Sequence, residues 1–397
     1  MAERTKIAFV IGSLGVGGAE RVFLTLLRHL DRKLFEPHLI LLRADGELVP
    51  EIPGDVVVHT LDAARRPWTL SALIVLMARF IRVVRAIHPQ TILACGGMNI
   101  ASILARPFLP RGTRVVIRES SVLSARLKND TRHPRFWAWL YRHVYRRADA
   151  VVCQSETMAG EIVESLGVPR ARVCRIYNPL DLDRVEKFSE HDGTPYESAG
   201  PKLLAAGRLS REKGFDLLLA AMPRVVQRLP GARLAILGEG PLKDELIEQA
   251  RALGLADVVS FHGFQQNLWP YLRHADLLVV PSRREAFANV LLEALALGTP
   301  VVAADCPGAI RELYGDYSAV RLVPPENPVA LAEAVVEHLK AALAAPPCAR
   351  MDDDALAKFA VRKIVDQYSA VLAGRAREQM HPGDEPQAPA RVRTGFF

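Results

Sequence analysis

The order of apolar runs predicts an α/β chain built from two doubly wound, parallel-sheet domains. Three observations carry that expectation. Short β-branched and apolar runs alternate with helix-period segments along the whole chain, and apolar runs separated by helices read as buried parallel strands. The alternation breaks once, in the polar, Gly- and Pro-bearing stretch 181–201, and then restarts. Each half opens with a strand that runs into a glycine-bearing turn and a helix. At 397 residues the chain is also longer than a single core usually serves.

In the first half, strands are expected at Ile7–Ile11, Leu39–Leu42, Val56–His59, Ile92–Ala94, Val115–Ile117, Ala150–Cys153 and Val173–Ile176, with helices such as Ala19–Leu30 and Leu70–Ile87 between them. In the second half they are expected at Leu203–Ala206, Leu234–Leu237, Val258–His262, Leu277–Val280, Val301–Ala304 and Val320–Val323, with a helix over Phe215–Arg228. Asp352 to Leu372 reads as one last helix, opened by three acids that suit a helix N-terminus. The expected division is a first domain over 1–180, a linker over 181–201, a second domain over 202–345, a closing helical segment over 346–379 and a disordered tail over 380–397.

Composition narrows the function. The five cysteines are scattered without paired spacing, so reduced thiols are expected rather than a zinc site or a disulfide framework. No two histidines fall within one helical turn of each other, and no metal site is expected. The start is charged and leads straight into a strand, which does not read as a secretory signal. The apolar run Ala72–Ala78 is far short of the roughly 20 residues that cross a bilayer. The net charge of +7 is uneven: residues 1–180 hold 26 basic and 15 acidic residues, a net of +11, and the remainder is at −4. A basic first half suits an anionic membrane surface or an anionic acceptor, and no nucleic-acid module is recognisable.

The chemistry concentrates in the second half. In Gly207–Gly214, GRLSREKG, two cations lie five residues apart between glycines. The Arg208 guanidinium offers phosphate oxygens a bidentate fork and Lys213 a mobile point charge. Downstream, Glu285 and Glu293 are eight apart. Glu285 falls at the carboxyl end of a strand, where open α/β sheets bind ligands. Glu293 lies in an apolar helical stretch, where a carboxylate needs a partner. Backbone amides over Phe287, Ala288, Asn289 and Val290 would form a helix N-terminus suited to an anion. Ala286 and Ala288 suit that loop unless it requires positive φ. In the first half, GSLGVGGAER over 12–21 is glycine-rich without matching the regular dinucleotide fingerprint. The stretch from Arg132 to Ala150, with Phe136 and Trp137 beside many Arg and His, reads as a core-facing helix with a basic outer face or as a membrane-surface helix, as does the Arg79, Arg82, Arg85 stripe.

Taken together, GGAER at Gly17–Arg21, GRLSREKG, GEGP at Gly238–Pro241 and the Glu285/Glu293 pair resemble the retaining glycosyltransferases of family 4, over nearly the whole chain. The resemblance implies the GT-B fold: two Rossmann-like domains facing a central cleft, with the closing helix around Tyr368 crossing back to the first. It implies a nucleotide diphosphate-sugar, a UDP-sugar, as co-substrate and no further cofactor. Arg208 and Lys213 would bind the diphosphate, Glu293 the ribose and Glu285 the transferred sugar. Gly17, Gly18 and Gly238 would lie at the donor, and Phe264 near the base. Where many relatives carry a histidine after the fifth strand, this chain has Arg118 and Glu119, which would then face the acceptor. The expected partner is a glycan or lipid-linked glycan, and the expected location is the cytoplasm, at the inner face of the cell membrane. The alternatives are an epimerase of the same fold and a catalytically silent nucleotide-binding subunit.

Overall fold

The structure, a computed structural model, describes residues 4–62, 69–124, 127, 133–190, 194–196, 200–344 and 350–375. The tail 380–397, Cys348 and parts of the 181–201 and 346–379 segments lie outside the described residues. The chain divides into two compact units. One comprises residues up to Gly15, Ala19–Tyr177 and the chain from Arg362; the other comprises Val16–Gly18 and Asn178–Val361.

The first unit holds a seven-stranded sheet of β1 (Thr5–Ile11), β2 (Phe35–Leu41), β3 (Val57–Thr60), β4 (Thr91–Cys95), β5 (Arg114–Arg118), β6 (Ala150–Cys153) and β7 (Val173–Arg175). The order is β3-β2-β1-β4-β5-β6-β7, and every pairing is parallel. Ile7–Val10, Ile92–Ala94 and Val115–Ile117 are fully buried, because helices cover both faces of such a sheet. Helix Val361–Leu372 also belongs to this unit from Arg362 on, and polar contacts fasten it there. The Arg118 Nε donates to the Tyr368 hydroxyl at 3.1 Å, the Thr91 hydroxyl donates to the Leu372 carbonyl at 2.8 Å, and Arg114 Nη1 donates to the Val371 carbonyl at 2.9 Å.

The second unit holds β8 (Lys202–Ala206), β9 (Arg233–Leu237), β10 (Val259–Gly263), β11 (Leu277–Val280), β12 (Val301–Ala304) and β13 (Val320–Val323). Their order is β10-β9-β8-β11-β12-β13, again all parallel. Strand order reverses between β8 and β11. The connections leaving these two neighbours diverge, and that divergence opens a crevice at the carboxyl edge. All thirteen strands fall where the apolar runs place them, within a few residues.

Two segments differ from expectation. The stretch over 181–201, read as lacking periodicity, contains helix Leu182–Ser189. Asp181 caps it by accepting from the Arg184 amide at 3.3 Å, and Phe188 lies 6.1 Å from the Trp269 ring. Eight residues leave too short a window for a period to show. The closing helix is two helices, Asp353–Ala357 and Val361–Leu372. The break turns Phe359 inward, 5.9 Å from the Phe287 ring and 6.5 Å from Tyr314, so tertiary burial overrides helix continuation. Asp352 does cap the first of them, accepting from the Ala355 amide at 2.7 Å.

Ala288 answers the question of positive φ: it sits at φ +61°, ψ +66° as the residue before helix Asn289–Ala296. An L-residue there costs about 1–2 kcal/mol, which glycine avoids. Ala288→Gly is therefore expected to stabilise the second unit by roughly 1 kcal/mol, after the unfolded-state entropy of glycine is deducted; an unchanged or lower melting temperature would refute the strain.

On adjacent strands β2 and β3, His38 Nδ1 lies 3.2 Å from His59 Nε2. Burial first, and the neighbouring His38 second, hold the His59 pKa below its ordinary 6.5. The folded protein thus binds fewer protons here than the unfolded chain, so stability is full above pH 6.5 and declines as pH falls through that value. His59→Gln should flatten this part of a urea-denaturation pH profile; an unaltered slope would show that the pair does not contribute.

Candidate active site

The connection after β8 begins with Gly207 at φ +155° and ends with Gly214 at φ +68°, enclosing the turn Arg211–Lys213. Gly214 lets the connection press on its neighbour, since a Cβ there would stand 2.1 Å from the Pro281 carbonyl oxygen. Lys213 lays its stem against Gly207 and reaches Glu285, with Nζ 2.6 Å from Oε2. The Ser282 hydroxyl donates to the same oxygen at 3.1 Å. Arg208 is exposed beside buried Leu209 and Ser210. The structure therefore joins two of the expected residues, 72 positions apart in sequence, and leaves a guanidinium open on the same connection.

Neighbouring connections close on this one. A Cβ on Gly238 would stand 1.9 Å from the Gly207 carbonyl, and the Gly238 amide donates to the Gly263 carbonyl at 2.7 Å. Half-buried Phe264 follows directly at the end of β10. On the other side, the Glu285 amide donates to the Pro307 carbonyl at 3.1 Å, and the Ala309 amide donates to the Glu285 carbonyl at 3.1 Å. Both contacts are available because Gly308, at φ +136°, has no Cβ to strike that carbonyl.

Past Glu285 the chain enters helix Asn289–Ala296. Its first-turn amides at Asn289 and Val290 have no intrahelical acceptor, which makes this end a partial positive charge. Asn289 is held by Asn178, whose Nδ2 donates to its Oδ1 at 2.7 Å, and a Cβ on Gly18 would meet Asn289 Nδ2 at 2.8 Å. Gly17 precedes it in the same short segment of the second unit. Glu293, half-buried, lies one turn along from Asn289 and so on the same helix face. The Phe287 ring is committed to the core against Tyr314 and Phe359, leaving its backbone alone at the site. The assembly offers cations, a helix N-terminus and carboxylates, a set that suits a pyrophosphate bearing hydroxyl-rich groups at both ends.

Three residues that support this geometry were not singled out from sequence. Arg283 grips Asp216 with two parallel hydrogen bonds of 2.7 Å and donates to the Arg211 carbonyl at 2.9 Å, tying the connections after β8 and β11 together. Burial pushes the Asp216 carboxyl up, but the Arg283 hydrogen bonds and charge outweigh it and its pKa lies below the ordinary value. Asn178 is the second, and the Asn-Pro step after β7 was its only signal. Cys306 is the third: burial, then the charge of Glu285, push its thiol up to about 12, so it is a neutral wall and not a nucleophile at neutral pH.

Arg118 and Glu119 are both buried. Arg118 is 1% exposed, with its guanidinium on Tyr368 and 3.7 Å from the Cys95 sulfur. Glu119 accepts from the Tyr145 hydroxyl at 2.6 Å, from the Ser120 and Ser121 amides at 3.0 and 3.1 Å, and from the Ser121 hydroxyl at 2.8 Å. Enclosed and engaged, these side chains brace the first unit.

The chain is similar to known proteins along most of its length. The family description "Glycosyltransferase Family 4" matches residues 16–184, and "Glycosyl transferases group 1" matches residues 200–341. The chain is 31% identical over 327 residues to the N-acetylgalactosamine-N,N'-diacetylbacillosaminyl-diphospho-undecaprenol 4-alpha-N-acetylgalactosaminyltransferase of Campylobacter jejuni, covering 81% of this chain and 87% of that one. It is 35% identical to the glycogen synthase of Mycobacterium tuberculosis over 190 residues, 47% of this chain and 44% of that one. Among solved structures, a glycosyltransferase of Rickettsia africae superimposes with a TM-score of 0.72 at 16% identity, over 95% of this chain and all of that one. Anabaena HepE in complex with UDP and glucose does so with a TM-score of 0.72 at 23% identity, over 93% of this chain and all of that one. The fold is GT-B, and the chain belongs to glycosyltransferase family 4.

Proposed function

We propose that this glycosyltransferase is retaining and metal-independent, and that it moves a sugar from a UDP-sugar to a glycan or lipid-linked glycan during cell-surface polysaccharide synthesis, on the cytoplasmic side of the membrane. The observation that carries the reading is the Lys213–Glu285 contact of 2.6 Å at the strand-order reversal, with exposed Arg208 on the same connection. The Campylobacter relative is named for a diphospho-undecaprenol-linked acceptor, and Anabaena HepE is seen in complex with UDP and glucose; both support the substrate classes.

The chemistry follows from the charges. Breaking the bond between the anomeric carbon and the β-phosphate oxygen leaves added negative charge on that phosphate. Arg208 and Lys213 would stabilise it, as fixed cations do where charge develops in a transition state. In the free enzyme Glu285 holds the Lys213 ammonium. When the pyrophosphate binds, it takes over that ammonium, and Glu285 is released to accept hydrogen bonds from the sugar hydroxyls. The acceptor hydroxyl would attack the same face that the phosphate leaves, giving up its proton to the departing phosphate oxygen. Glu293 would accept from ribose, with the Asn289 and Val290 amides on the phosphates and Phe264 beside the base.

Lys213→Ala and Arg208→Ala should each lower kcat/KM for UDP-sugar transfer by about 10²-fold or more, near 3 kcal/mol of transition-state stabilisation; the melting temperature should hold in Arg208→Ala and fall in Lys213→Ala, which leaves the buried Glu285 carboxylate without its cation. Unchanged turnover in both would defeat the diphosphate assignment. Glu285→Gln should reduce kcat and leave UDP affinity nearly intact, because UDP lacks the sugar that the carboxylate contacts; an equal loss of UDP affinity would place Glu285 elsewhere.

A further inference from the structure

Helix Leu70–Ile87 carries one apolar stripe, Leu70, Leu73, Met77, Phe80, Val84 and Ile87, and only its second half is covered. Phe80, Val84 and Ile87 are buried, whereas Leu70 is 77% exposed, Leu73 45% and the adjoining Ile74 62%. The first two turns thus overhang the sheet. They form a finished helix end, because the Thr69 hydroxyl accepts from the Ala72 amide at 3.2 Å. A second apolar end stands on helix Pro134–Tyr145, where Phe136 and Trp139 are 55% and 56% exposed and their rings stack at 6.3 Å. Helix Met98–Ala105 packs against both of these helices, so the three share one layer of the first unit. Each of the two leads into a parallel strand, β4 and β6, and so starts at the carboxyl edge of the sheet.

Charge identifies what covers these ends. Residues 69–118 contain seven arginines and neither a lysine nor an acid, and helix Pro134–Tyr145 carries no acid either. Arg79 and Arg85 are turned back onto the Leu61 and Phe108 carbonyls, and Arg82 is exposed. Apolar side chains with aromatics among them, beside arginines on two helices that contain no acid, fit the boundary between acyl chains and anionic headgroups. A water-exposed patch of this kind is otherwise unfavourable on a monomer. Among the described residues no helix is long and apolar enough to cross a membrane, so contact of this kind lies along the surface.

We infer that the overhanging start of helix Leu70–Ile87, together with Phe136 and Trp139, is a docking surface for an anionic lipid bilayer. The lipid-linked acceptor reading supplies its purpose, but lipid binding itself does not depend on that reading. Flotation of the full chain with vesicles of phosphatidylcholine alone, or with one quarter phosphatidylglycerol, tests it directly. Binding is expected to the phosphatidylglycerol vesicles, falling at least tenfold between low and 0.5 M salt. The double variant Leu70→Asp/Ile74→Asp should weaken binding tenfold or more, Trp139→Ala and Arg82→Ala several-fold each. Melting temperature and UDP affinity should stay as in the parent, which separates docking from folding and from the donor site. Absence of binding to anionic vesicles, or equal binding by the double variant, overturns the inference. So does a parent dimer that the double variant converts to monomer, since a second copy would then cover the patch. If the parent binds vesicles yet transfers sugar to no lipid-linked acceptor, the docking surface stands and the acceptor assignment falls.

Discussion

Among the places in the second unit where backbone meets backbone and no side chain would fit, three matter most to the site: Gly214 at the Pro281 carbonyl, Gly238 at the Gly207 carbonyl, and Gly308 at the Glu285 carbonyl. These approaches let the connections after β8, β9, β11 and β12 close on one another at the edge where strand order reverses. Everything proposed for the chemistry depends on that closeness. A cation and a carboxylate on separate connections can share a 2.6 Å contact only if the chains carrying them nearly touch. A methyl group at any of the three glycines would hold them apart.

Two of the ion pairs at this edge, Arg283–Asp216 and Lys213–Glu285, differ in what surrounds them. Arg283 and Asp216 are bidentate, and further acceptors at the Arg211 carbonyl and Glu326 complete the guanidinium. That satisfaction suits a fixed brace, since a planar fork gains from every donor being used. Among the described residues the Lys213 ammonium makes one hydrogen bond, from a flexible stem, and Glu285 shares its oxygen with Ser282. A pair with spare valence can exchange partners without leaving a buried charge uncompensated, provided the incoming group is itself charged. The brace and the exchangeable pair are thus distinguished by hydrogen-bond count, and a pyrophosphate meets the requirement.

The first unit assigns its polar residues differently. Arg118 and Glu119 are consecutive, yet one is bound to the closing helix through Tyr368 and the other to Tyr145 and the Ser120–Ser121 turn. Burying a guanidinium and a carboxylate is tolerable because each has hydrogen-bond partners. Exposed large apolar side chains of this unit stand on the first turns of helix Leu70–Ile87 and on the Phe136–Trp139 face. Its interior holds the fold, and its surface is where a partner would be met.

Local sequence was sufficient for the strands, because a run buried on both faces has to be apolar whatever it packs against. It was sufficient too for the cation-bearing glycine connection and for Glu285, since residue type, spacing and position at a strand end are all local properties. It misjudged helix Leu182–Ser189, whose eight residues owe their form to packing on Trp269, and it ran two helices together across Phe359, whose inward turn answers to rings from distant segments. Nor could it foresee that Ala288 takes positive φ, that His38 meets His59, or that Arg118 is enclosed. Residue chemistry and periodicity are written along the chain, so sequence alone determined the fold class and the kind of groups available. Which groups touch, and which are shut from solvent, depends on contacts between residues tens of positions apart, and only the folded chain decides those.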